Sequence, residues 1–125
     1  MIAAMEIAYW VVGGLLALFY LYAGGKKVAQ SREQLLPMMG WVDTMPMPLV
    51  RTIGVLELLG AVGLILPPST RILPWLAVAA AVGLVLIQIG GIVTHLRRGE
   101  ARLIGLNIVL LLVAAAAAWL ATAVA

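Results

Sequence analysis

Eighteen residues, Leu49–Leu66, constrain this chain more than any others. They read LVRTIGVLELLGAVGLIL and are apolar except for Arg51, Thr52 and Glu57. As a helix they rise about 27 Å, close to one hydrocarbon core. Arg51 sits near one end, where its long side chain can snorkel to the interface. Glu57 lies about 9 Å deeper, where an unpaired charge costs at least a few kcal/mol. The six-residue offset also turns the two side chains to different faces. Glu57 therefore needs a partner on another helix, in water or in a bound ligand.

Composition extends this reading to the whole chain. Of 125 residues, 65% are hydrophobic and 10% charged, against roughly half and a quarter in soluble domains. We read 1–125 as one transmembrane domain in contact with the lipid bilayer. The absence of cysteine excludes disulfides and thiolate chemistry within the chain. A single histidine cannot build a multi-histidine metal site. The net charge of +3 is no sign of nucleic acid, because the basic residues flank apolar spans.

Four spans are expected, at about 3–24, 49–66, 72–94 and 103–124. The first reads as a retained helix rather than a signal peptide, since Glu6 precedes its apolar run and Lys26 and Lys27 come after it. Gly13, Gly14 and Ala17 are small enough to let another helix approach. Tyr20, Gly24 and Lys27 share one face, and Tyr22 and Lys26 form a second pair four apart. Residues 25–48 form the long connection. Ser31 with Gln34 fits a capping box, and Pro37 and Gly40 interrupt the short helix that begins there. Leu35, Leu36, Met38, Met39, Trp41 and Val42 are too apolar for a solvated loop. The segment reads as an interfacial spacer, with a substrate-gating lid as the alternative. Pro67, Pro68 and Ser69 are expected to end the second span, and Arg71 to begin the next segment. The fold class is all-α, a four-helix transmembrane bundle.

Seven of the eight basic residues, Lys26, Lys27, Arg32, Arg51, Arg97, Arg98 and Arg102, lie in or beside the first and third loops; Arg71 stands alone opposite. This asymmetry predicts a multi-pass protein of the inner or plasma membrane with both termini non-cytoplasmic. Measured along each helix, Tyr20, Glu57, Gln88 and Asn107 then fall about 7–9 Å inside the basic side. Four helices thus contribute one polar layer, with Lys26, Lys27 and His95 at its mouth. Gly54, Gly60 and Ala61 flank Glu57 and leave room for a neighbouring helix or a ligand. Candidate ligand- or proton-binding residues are Glu57, Tyr20, Gln88, Asn107, Lys26 and His95. Gln88 and Asn107 also suit plain interhelical hydrogen bonding. Glu57 suits either a ligand site or an ion pair with Lys26 or Lys27. The pair Arg97–Arg98 reads as topology signal and anionic-lipid contact.

These residues carry a resemblance. IGVLELLGAVGLIL after a Pro-rich lead-in, LYAGGKKV (Leu21–Val28), His95 after the third span and Asn107 early in the fourth together resemble the DoxX/DoxX-like family. That resemblance implies a small four-helix membrane protein. It also implies a link to quinone redox chemistry, since family members are associated with a thiosulfate–quinone oxidoreductase and membrane oxidoreductase assemblies. The expected function is a non-catalytic subunit or quinone-like small-ligand binding module of such an assembly. The isolated chain is not expected to be an enzyme. No intrinsic cofactor is expected; a bound quinone or lipid is. Partner membrane subunits or a homodimer are the expected protein partners. A small proton-coupled transporter using Glu57, and a purely structural membrane subunit, are the alternatives.

The charge asymmetry is directly testable. Reporter fusions after Val28 and Arg98 are expected to read cytoplasm, and fusions at Ser69 and Ala125 the outside. A cytoplasmic reporter at Ala125 would overturn the assignment.

Overall fold

The computed structural model describes residues 2–125, and the regular structure of the described chain is all helical, with no strand. Five α-helices run in order: α1 (Ile2–Ala29), α2 (Arg32–Leu35), α3 (Met47–Thr70), α4 (Leu76–Arg97) and α5 (Gly105–Ala121). Short 3₁₀ turns at Gly40–Asp43 and Ala101–Leu103 fill two connections. Helices α1, α3 and α4 are long and apolar enough to cross a bilayer, while α5 is apolar but has 17 residues.

Local chemistry sets the helix ends. Lys26 and Lys27 sit in the last turn of α1, where the helix dipole favours positive charge. The Arg51 guanidinium, from α3, donates to the carbonyls of Lys27 (2.7 Å) and Gln30. These carbonyls close α1 and would otherwise lack partners. α1 therefore runs five residues past the expected end at 24. Ser31 and Gln34 form the expected capping box on α2. Pro48 stands in the first turn of α3, where a missing N–H costs nothing. α4 starts at Leu76 rather than 72, because Arg71 and Leu73 adopt left-handed backbone and Pro74 opens the first turn.

Pro67 and Pro68 do not end the second span as expected; α3 continues through them to Thr70. Proline at 68 removes the N–H that would bond the Leu64 carbonyl. That carbonyl instead accepts the Tyr9 hydroxyl of α1 at 2.6 Å, fully buried. The neighbouring helix thus satisfies the group the proline frees, and the helix survives.

The long helices form a ring in the order α1, α3, α4, α5. α1 and α3 are antiparallel: Tyr9 meets Leu64 at one end and Lys27 meets Glu57 near the other. Tyr9, Leu16, Tyr20, Leu64 and Leu84 fill the centre, and α5 contributes Ala114, Ala117 and Ala121. Side chains such as Leu15, Leu59, Leu86, Leu112 and Trp119 face outward, as helices solvated by lipid require. α1 and α3 touch backbone to backbone at Gly24 and Gly54. A Cβ on Gly24 would stand 2.8 Å from the Gly54 carbonyl oxygen. Gly14, expected to admit a neighbour, has nothing within 4 Å of such a Cβ.

The connection between α1 and α3 is more than a spacer. Leu35, Val42 and Val50 are fully buried in a second apolar core, packed by Leu36, Met39, Trp41, Met45 and Met47. Arg32 ties it down by donating to the carbonyls of Val42 and Met45. We call residues 31–46 the closing segment.

Replacing Tyr9 with Phe strands the Leu64 carbonyl and is expected to cost about 1–3 kcal/mol of stability, read by thermal unfolding in detergent. Adding Pro68→Ala restores an N–H to the same carbonyl and should recover most of the loss. A double variant no more stable than Tyr9→Phe would show that this carbonyl is not the cause.

Candidate functional site

The polar residues of the apolar interior gather beneath the closing segment. Glu57, 2% exposed, projects from α3 toward α1 and accepts a hydrogen bond from the Lys27 ammonium at 2.7 Å. Lys27 is itself 7% exposed. The glycine crossing makes the pair: a Cβ on Gly54 would stand 2.7 Å from the Lys27 Cβ, and one on Gly24 3.1 Å from the Glu57 Cβ. Two buried charges need this contact, because each alone is strongly destabilising in an apolar interior. The Lys27 ammonium also lies 6.0 Å from the centroid of the Trp41 ring, within cation–π range.

A second chain of hydrogen bonds crosses the layer. Gln88 of α4 donates to the Tyr20 hydroxyl of α1 at 2.6 Å and accepts from the Asn107 amide of α5 at 2.9 Å. Gly91 makes room for Asn107: a Cβ there would be 2.6 Å from the Asn107 amide nitrogen. Tyr20, Gln88 and Asn107 thus come together as one linked set. Lys26 does not join them; its ammonium sits 5.3 Å over the Tyr22 ring on another face of α1. The basic partner of Glu57 is Lys27, one of the two lysines the sequence offered.

His95 sits at the mouth, its Nδ1 2.9 Å from a Glu100 carboxylate oxygen. The same oxygen accepts from Arg98 at 2.9 Å. Arg98 reaches on to Asp43 at 2.8 Å and Thr44 at 3.1 Å in the closing segment. Arg98 is therefore a latch between the α4–α5 loop and the closing segment, and not only the topology signal expected. Its hydrogen bonds hold the Asp43 carboxyl below the usual carboxylate range. Arg98, with His95, does the same for Glu100. Trp41, Asp43 and Glu100 carried no motif that could have marked them; only the apolar character of 35–42 hinted at burial.

Two cavities meet at this layer. One, of about 280 Å³, opens between α3 and α4 past Leu49, Ile53, Gly90 and Thr94. The other, of about 340 Å³, opens between α1 and α5 past Phe19, Tyr22, Leu106 and Leu110. Lys27, Trp41, Glu57, Gln88, His95 and Asn107 line both. Met38, Met39, Gly40, Trp41 and Met45 of the closing segment border the cavities from the chain's polar end. Among the described residues, only one Glu57 oxygen accepts a hydrogen bond. The site can therefore bind a polar group presented by an apolar molecule arriving from the side.

Residues 11–117 match the model of the DoxX-like family. No curated protein and no solved structure matches the chain.

Because Asp43 and Glu100 are held below their unfolded pKa values, their contribution is complete above about pH 4 and is lost as pH falls through the lower folded values. Protection of the amides of residues 40–45, taken relative to the intrinsic exchange rate at each pH, is expected to be high at neutral pH and to fall in acid. Arg98→Ala should give the low, acid-like protection already at neutral pH. Unchanged protection in that variant would remove the latch.

Proposed function

Since this chain belongs to the DoxX-like family and is a multi-pass integral membrane protein, we propose that it is a non-catalytic binding module. It holds a small amphipathic, quinone-like ligand against the Lys27–Glu57 pair. In this reading all four long helices cross the bilayer, α5 included, and both termini lie outside the cytoplasm. The polar layer then sits in the cytoplasmic leaflet, with the closing segment at the water interface. The family's association with membrane oxidoreductase assemblies supports a subunit role beside a partner that carries the redox cofactor. The chain has no cysteine with which to relay electrons itself.

One observation carries the proposal: two side openings reach the same buried polar residues. A layer serving packing alone gains nothing from cavities on either side, whereas a ligand needs both apolar walls and a few fixed polar groups. Proton-coupled transport is less well supported. Among the described residues, the half of the bundle beyond the layer holds one buried polar contact, Tyr9 to Leu64, and that contact is closed.

The ion pair itself favours a second reading, in which Glu57 and Lys27 only hold α1 to α3. A double replacement separates the two. Glu57→Gln alone leaves Lys27 uncompensated and is expected to cost about 3–5 kcal/mol. Lys27→Met with Glu57→Leu removes both charges and should restore thermal stability in detergent. Titrated with a short-chain benzoquinone, the wild type should bind and the stable double variant should not. Equal binding by both would leave the pair a purely structural element.

A further inference from the structure

We infer that the ligand of this site carries an uncharged head group with both hydrogen-bond donors and acceptors, of hydroxyl or quinol type, and not an anionic or cationic one. This rests on the binding reading above and narrows it.

The argument is one of charge and valence. Among the described residues, every charged side chain that borders the cavities is matched within the chain. Lys27 is matched by Glu57 and Glu100 by Arg98, and the His95 ring nitrogen is hydrogen-bonded to Glu100. Of the cations just outside, Arg51 is seated on the end of α1, Arg32 on the closing segment and Arg98 on Asp43, and the Lys26 ammonium lies over the Tyr22 ring. A charged head would enter an apolar enclosure with no free counter-ion, which is costly.

Hydrogen-bonding capacity, in contrast, is left over. Lys27 uses one of its three protons on Glu57. Asn107 spends its amide on Gln88, and its carbonyl accepts nothing. The second Glu57 oxygen likewise accepts nothing from the chain, and it is not sealed away from the cavities. The spare Lys27 protons, the Asn107 carbonyl and the second Glu57 oxygen therefore face the space where the openings meet. A head that both donates and accepts satisfies them; a bare hydrocarbon does not. The apolar walls of either opening take the tail.

Trp41 borders both cavities and serves as the reporter. Trp10, Trp75 and Trp119 are exposed and can be replaced with Phe, leaving Trp41 as the sole indole. The full-length protein in uncharged maltoside micelles is titrated with three probes sharing one bromoalkyl chain: a glycerol ether, a sulfate and a trimethylammonium. The glycerol ether is expected to quench Trp41 with an affinity about tenfold or more above the other two. Glu57→Gln, which unmatches Lys27, should shift the preference to the sulfate. Sulfate or ammonium quenching the parent as tightly as the ether would overturn this inference and leave the binding reading standing. So would a Glu57→Gln protein that folds and keeps the parent's preference. Should that variant not fold, the comparison of the three probes on the parent decides alone. Quenching by none of them would overturn the binding reading and this inference with it.

Discussion

Lys27 and Glu57 meet because Gly24 and Gly54 let two helix backbones touch. Without that contact the two charges would stand apart in an apolar interior, each at a cost the fold could not absorb. With it, their attraction acts at 2.7 Å in a medium that screens it weakly. The crossing also fixes where the layer lies, since Glu57 is one turn from Gly54 and Lys27 one turn from Gly24. Gln88 and Asn107 then complete a floor beside the pair, at the meeting point of the two cavities, with Tyr20 buried behind Gln88. Small residues decide the geometry here, and the polar residues use it.

The closing segment shows the same logic at a smaller scale. Apolar side chains in a linker would be a liability in water and a poor anchor in lipid. Here they fold on themselves around Val42; Arg32, within the segment, binds its carbonyls, and Arg98, outside it, binds the Asp43 carboxylate. The result is a compact wall between the cavities and the polar end of the chain, held by groups that respond to charge. An interior reached between helices, and bordered by this segment at the end, suits a molecule that already resides in the membrane.

Much of this architecture was legible in the sequence, for reasons that differ by residue. Glu57 announced itself because an acid inside an apolar span has few explanations. Tyr20, Gln88 and Asn107 could be placed at one depth because helical rise converts residue number into distance. The face shared by Tyr20, Gly24 and Lys27 comes from the same periodicity, yet choosing Lys27 over Lys26 required knowing where α3 crosses. Pro67 and Pro68 misled, because their local effect is to stop a helix. What overrides it is a hydroxyl from Tyr9, more than fifty residues away in sequence. The latch at Arg98 was hidden for a similar reason: Asp43 and Arg98 are distant in the chain, and neither lies in a periodic pattern.

The seating of Arg51 on the end of α1 has a bearing on how the chain is made. The last carbonyls of α1 receive their partner from a residue more than twenty positions later in the chain. The Lys27 ammonium waits longer still, for Glu57. During synthesis α1 therefore leaves the ribosome with an unmatched cation and open carbonyls at its trailing end. It cannot settle alone in hydrocarbon without that cation staying at the water boundary. The end of α1 is thus completed, in both charge and hydrogen bonding, only once α3 is in place.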